Sequence, residues 1–112
     1  SVDIQARGRS GKLTTADMQR GTFTLSNAGM ARSVRWTTPL LNPPQCAILA
    51  TGAVGERAVV REGVICARWI VELSITFDHR AVNGFAVSQF LDTLVGLIAA
   101  PAMVFGLPDV TA

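Results

Sequence analysis

His79 is the only histidine in a chain of 112 residues, and it stands in the segment Phe77-Asp78-His79-Arg80-Ala81-Val82-Asn83-Gly84. An unperturbed imidazole titrates at about 6.5, nearest to neutrality of all side chains, so a lone histidine held between two rigid elements is a candidate general base. The plain alternative is a packing or surface histidine at a strand end. Serine and cysteine are the side chains such a base most often activates. No G-x-S-x-G elbow is present, which removes the usual frame of an α/β serine hydrolase. Cys46 and Cys66 lie in apolar or strand-like surroundings and read as reduced core thiols rather than nucleophiles. One histidine and two distant cysteines supply too few ligands for a metal site, so no metal is expected.

The elements that must position these groups can be read from periodicity. From Arg68 to Phe77 the odd positions Trp69, Val71, Leu73, Ile75 and Phe77 are apolar, while Arg68, Glu72, Ser74 and Thr76 fill most of the even ones. Period-two alternation predicts one long strand, starting near Val64, with one buried face. From Gly84 onward, Val87, Phe90, Leu91, Leu94, Leu97 and Ile98 recur at helical spacing and predict a helix with one core-facing stripe. His79 is thereby placed at a strand-to-helix junction. Upstream, Ser1 to Arg9 reads as helix, and Thr14-Thr15-Ala16-Asp17 as a short turn with a capping hydroxyl. In Thr22-Phe23-Thr24-Leu25-Ser26 the apolar pair is expected to face a core and the hydroxyls to face away. Gln45 to Thr51 reads as a buried central strand after Pro43-Pro44, Glu56 to Gly63 as an edge strand with a turn, and the chain from Pro101 as an irregular tail.

Three ordered segments carry a resemblance. D-H-R-x-x-N-G at Asp78–Gly84 resembles the D-H-R-x-x-D/N-G signature of the dihydrolipoamide acyltransferase components of 2-oxo acid dehydrogenase complexes. Lys12-Leu13-Thr14, Met18-Gln19 and Gly21-Thr22-Phe23-Thr24-Leu25-Ser26-Asn27-Ala28-Gly29-Met30 are similar to that family's G-K-L-T…M-Q-x-G-T-F-T-I-S-N-L-G-M stretch. Leu41-Asn42-Pro43-Pro44-Gln45-Cys46-Ala47-Ile48-Leu49 is similar to its I-N-P-P-Q-x-A-I-L.

The resemblance implies a catalytic role for His79 as the base that takes a proton from an attacking thiol, and for Ser26 as the donor to the oxyanion. It places Asn83 at the position that is Asp in many members and Asn in some. On residue type alone, Ser26 also reads as part of a solvated Thr/Ser strand face, and Asn83 before Gly84 as turn chemistry at a helix N-terminus. The implied reaction is acyl transfer between coenzyme A and a lipoyl thiol, without a metal or covalent acyl-enzyme, for which direct attack needs a base and an oxyanion donor. The implied fold is α/β, a chloramphenicol acetyltransferase-like mixed-sheet sandwich with helices on the sheet, incomplete in this chain. Residues 1–112 would form the carboxyl-terminal half of that catalytic domain. Homotrimers, or higher oligomers built on trimers, would bring His79 and Ser26 together across an interface.

The family's domain is longer than this chain and the match starts midway through it, so a second chain or an upstream segment is expected to supply the rest. No lipoyl-domain sequence is present, and the lipoyl group or acyl carrier would come from another domain or protein. Arg32 and Arg35 are candidates for coenzyme A phosphates, against the plain reading of solvated loop arginines. Nine Arg and one Lys against eight acidic residues give a net charge of +2, too balanced to point to nucleic acid. No apolar run approaches the roughly 20 residues of a membrane helix, and the two thiols read as those of a cytoplasmic protein. Other readings left open are a stand-alone O-acyltransferase acting on a carrier-bound hydroxyl, and a catalytically silent trimer-forming scaffold.

Overall fold

The computed structural model describes residues 2–19 and 21–106. These divide into two compact units, one ending at Phe77 and the other beginning at Asp78. The first unit opens with helix α1 (Val2–Arg9) and the one-turn helix α2 (Thr15–Met18). Thr14 caps α2 in a capping box, its side chain accepting from the Asp17 N–H while the Asp17 carboxylate accepts from the Thr14 N–H at 2.9 Å. Arg7 ties the two helices together, donating to Asp17 at 2.5 Å and to Asp3 at 3.0 Å. The Asp17 carboxyl lies well below its ordinary range, chiefly because of the Arg7 guanidinium and then the Thr14 bonds.

Five strands follow: β1 (Thr24–Asn27), β2 (Ala47–Thr51), β3 (Gly55–Arg61), β4 (Val64–Ile70) and β5 (Leu73–Phe77). One sheet has the order β1-β2-β5, with β1 parallel and β5 antiparallel to β2. Central β2 holds the best-buried residues of this unit, Ile48, Leu49 and Ala50, with Ala53 just beyond it. Consecutive residues of a strand face opposite sides, so a strand buried on both faces can be apolar throughout, as Ala47-Ile48-Leu49-Ala50 is.

The other sheet is the hairpin β3-β4. Its two-residue loop is Glu62-Gly63, both at positive φ (50° and 79°). This is the signature of a type I′ turn, whose twist matches that of the strands it joins. The single long strand expected from Val64 to Phe77 is therefore two strands in two sheets. The change of partner falls at Val71-Glu72, where the Glu72 carbonyl accepts from Gly52 N–H at 2.9 Å and its carboxylate from Arg35 at 2.9 Å. Alternation of apolar residues runs straight through this break, because it reports side-chain direction and not which strand lies alongside.

Residues 28–36 lie along the end of β2. Ala28 N–H bonds Thr51 O and Ala53 N–H bonds Val34 O, at 3.1 and 2.8 Å. Gly52 makes that approach possible, since a Cβ there would stand 1.6 Å from the Arg35 carbonyl oxygen.

The second unit contains helix α3 (Gly84–Ala99) and the short helix α4 (Pro101–Phe105), which contacts α3. The segment from Pro101, expected to be irregular, is helical up to Phe105, with Pro at the first helical position, where its missing N–H costs nothing. Residues 107–112, the rest of that expected tail, lie outside the described residues. The stripe of α3 is less covered than its spacing suggests: only Val87 is buried.

Two expectations about cover reverse in the first unit. Leu25 and Phe23 are 67% and 43% exposed, whereas Thr24 and Ser26 are half-buried, so the sheltered side of β1 is the hydroxyl side. Cys46 is exposed and Cys66 only half-buried, so neither is a core thiol within this chain. Both are unpaired.

Candidate active site

Ser26 lies in β1 opposite Ala50 of the central strand, a residue only 1% exposed. Its backbone is therefore held against the buried central strand. Neighbouring polar groups are engaged: Thr24 donates to Gln45 Oε1 at 2.5 Å, and Asn27 Oδ1 accepts from Gly29 N–H and the Thr51 hydroxyl at 2.8 and 3.2 Å. Among the described residues the Ser26 hydroxyl has no such partner, which leaves its proton available to an incoming acceptor.

In the other unit, His79 occupies a tight turn. The Asp78 carbonyl accepts from both Ala81 N–H and Val82 N–H at 3.0 Å. The Asp78 carboxylate receives the Arg80 backbone N–H at 2.9 Å, Arg80 Nε at 3.0 Å and Arg80 Nη2 at 2.6 Å. The Arg80 side chain, and after it the Arg80 N–H, lowers the Asp78 carboxyl from 3.8 to about 2. With Arg80 91% exposed and Asp78 28%, solvent screens this pair. Its consequence is the shape of the turn rather than its stability.

Asn83 ends the turn and starts α3. Its Oδ1 accepts from Ala86 N–H at 2.9 Å, as an N-cap. His79 and Asn83 thus belong to one turn-to-helix junction. Ser26, Arg32 and Arg35 belong to the other unit.

The two arginines differ. Arg35 is committed to Glu72 in an ion pair. Arg32 has no ion pair among the described residues and lines a cavity of about 390 Å³ with Arg57, Glu56, Gly55, Val54 and Trp69. Of the two, Arg32 is the better placed to meet an anion. Asp78 has no evident role on residue type alone, although an aspartate at the start of a turn is a recognisable Asx-turn signal.

An imidazole on a fixed turn can accept and return a proton, and a strand hydroxyl can donate to a carbonyl oxygen that gains charge. The chain is 42% identical over 100 residues to the dihydrolipoyllysine-residue succinyltransferase component of the mitochondrial 2-oxoglutarate dehydrogenase complex of Saccharomyces cerevisiae, covering 89% of this chain and 21% of that protein. It superimposes with a TM-score of 0.82 and 29% identity on the dihydrolipoamide acetyltransferase of Azotobacter vinelandii, over 93% of this chain and 42% of that one. In that enzyme one serine, one histidine and one asparagine have been investigated for their roles in catalysis, the last two being four residues apart. The cubic core of a pyruvate dehydrogenase multienzyme complex matches with a TM-score of 0.81, 30% identity and the same coverage. The chain spans about a fifth of the length of the curated relatives it matches. The family model for the catalytic domain of 2-oxoacid dehydrogenase acyltransferases matches residues 1–106, and the mixed α/β fold agrees with that of the solved catalytic cores; the chain belongs to this acyltransferase family.

Proposed function

We propose that this chain carries the catalytic residues of an acyltransferase that moves an acyl group between coenzyme A and the thiol of dihydrolipoamide. The observation that carries the reading is that the chain holds, each in its own unit, an unengaged Ser26 hydroxyl on β1 and a turn-mounted His79 with Asn83 four residues later. The same three residue types, with the same four-residue spacing of histidine and asparagine, were studied in the Azotobacter acetyltransferase.

In the proposed reaction His79 removes the proton of the attacking thiol. The sulfur forms a bond to the thioester carbonyl carbon, and the carbonyl oxygen, now negative, accepts a hydrogen bond from Ser26. Collapse breaks the bond to the departing sulfur, which takes the proton back from the imidazolium. No net proton or electron is gained or lost. Asn83 caps α3, and so holds the junction on which His79 is mounted. Arg32 would meet a phosphate of coenzyme A, and Arg35 braces the Glu72 position.

The upstream part of the domain would come from another segment or a second chain, and the lipoyl group from another domain. Trimers, as building units of a larger core, would join Ser26 of one copy to His79 of the next. The two unpaired cysteines suit a reducing compartment such as the cytoplasm. Among the described residues no helix is long and apolar enough to cross a membrane.

In the full protein that contains this chain, His79→Ala should lower kcat for transfer from acetyl- or succinyl-coenzyme A to dihydrolipoamide by roughly two to four orders of magnitude, with KM nearly unchanged. Ser26→Ala should lower it by roughly two to three orders. Steady-state assays checked against circular dichroism measure both. Wild-type turnover in either variant removes that residue from the mechanism.

A further inference from the structure

We propose that Asp78 is a positioning residue for His79, acting through a clamp closed by Arg80; the proposal rests on the reading of His79 as the base. Asp78 is the first residue after β5 and His79 the second. Asp78 grips the chain beyond His79 from both of its carbonyl-bearing groups. Its backbone carbonyl holds the N–H groups of Ala81 and Val82, each at 3.0 Å, and its carboxylate holds the N–H of Arg80 at 2.9 Å. His79 is therefore enclosed in a loop closed by three bonds to one residue. The guanidinium of Arg80 then lies against the same carboxylate through Nε and Nη2, at 3.0 and 2.6 Å.

An Asx-turn of this kind presets the backbone angles of the residue inside it. A base must reach its proton within hydrogen-bonding distance, and a misplacement of about 1 Å can cost on the order of 100-fold in rate. Side-chain type then matters in a predictable way. Asparagine keeps the Oδ1 that accepts the Arg80 N–H, and loses the charge together with the Oδ2 that accepts Nη2. Alanine loses both. Removal of the Arg80 side chain leaves the Asx bond and opens only the outer part of the clamp.

The test uses the full protein, with kinetics and deuterium exchange of the peptide spanning 78–83 measured by mass spectrometry on each variant. Asp78→Ala should exchange faster across this peptide and lose roughly 10- to 100-fold in kcat, with KM for both substrates within about twofold of wild type. Asp78→Asn should restore kcat to within about threefold. Arg80→Ala should lose about three- to tenfold in kcat at unchanged KM, and it carries the test if Asp78→Ala does not fold. Wild-type kcat or wild-type exchange in Asp78→Ala, beside an inactive His79→Ala, overturns the positioning role and leaves the general base standing. Wild-type kcat in His79→Ala overturns the reading beneath it, and the proposal with it.

Discussion

Asn83 does at least one job that can be measured without any substrate. Its side chain accepts the Ala86 N–H at the start of a 16-residue helix. Asn83→Ala should destabilise the second unit by about 1 kcal/mol, and Asn83→Asp or Asn83→Ser should recover most of that, as read from urea unfolding of the full protein. If Asn83→Asp recovers stability but not turnover, the amide serves the reaction as well as the helix. At this level the sequence says little about environment. His79, Ser26 and Asn83 could be picked out as candidates from their motifs. That Thr24 and Ser26 share the sheltered side of β1 could not, because alternation tells which residues share a face and not which face is covered. Asp78 stood in the motif without a role, since its function lies in hydrogen bonds to the backbone of the three residues that follow His79.

Turn chemistry decides how the strands are joined. At the tip of the β3-β4 hairpin Glu62 sits at φ 50° ahead of Gly63 at φ 79°. A type I′ turn needs both central residues in this left-handed region, where glutamate carries a Cβ penalty and Asn or Gly does not. Glu62→Gly or Glu62→Asn is expected to raise stability by roughly 0.5–1 kcal/mol, and a fall on thermal or urea unfolding would contradict the turn assignment. The capped turn at Thr14, the central strand at 47–51, the edge hairpin and the start of α3 at Gly84 were all readable from local signals. The break at Val71-Glu72 was not. It depends on β4 pairing with β3 while β5 pairs with β2, a long-range choice that leaves the local apolar alternation intact.

For the whole molecule, uncovered apolar side chains are the dominant fact. Trp69, Ile65 and Leu25 in the first unit are 70%, 74% and 67% exposed, and Phe85 and Phe105 in the second are both 73% exposed. A two-stranded ribbon such as β3-β4 is marginal by itself in water. Surfaces of this kind belong to chains that complete their core with other segments or other copies, in keeping with the share of each relative that this chain spans. The length of the resemblance raises the expectation of a further segment or a second chain, whereas which residues stay uncovered required the fold.

Two variants, each expected to be inactive alone, can show whether one Ser26 and one His79 make a shared site. Full-length Ser26→Ala and His79→Ala subunits, unfolded together in equal amounts and reassembled, should give roughly a quarter of wild-type acyl transfer to dihydrolipoamide, because about one interface in four then pairs an intact serine with an intact histidine. A mixture that assembles normally yet stays as inactive as either variant alone would contradict a site built from Ser26 of one copy and His79 of the next.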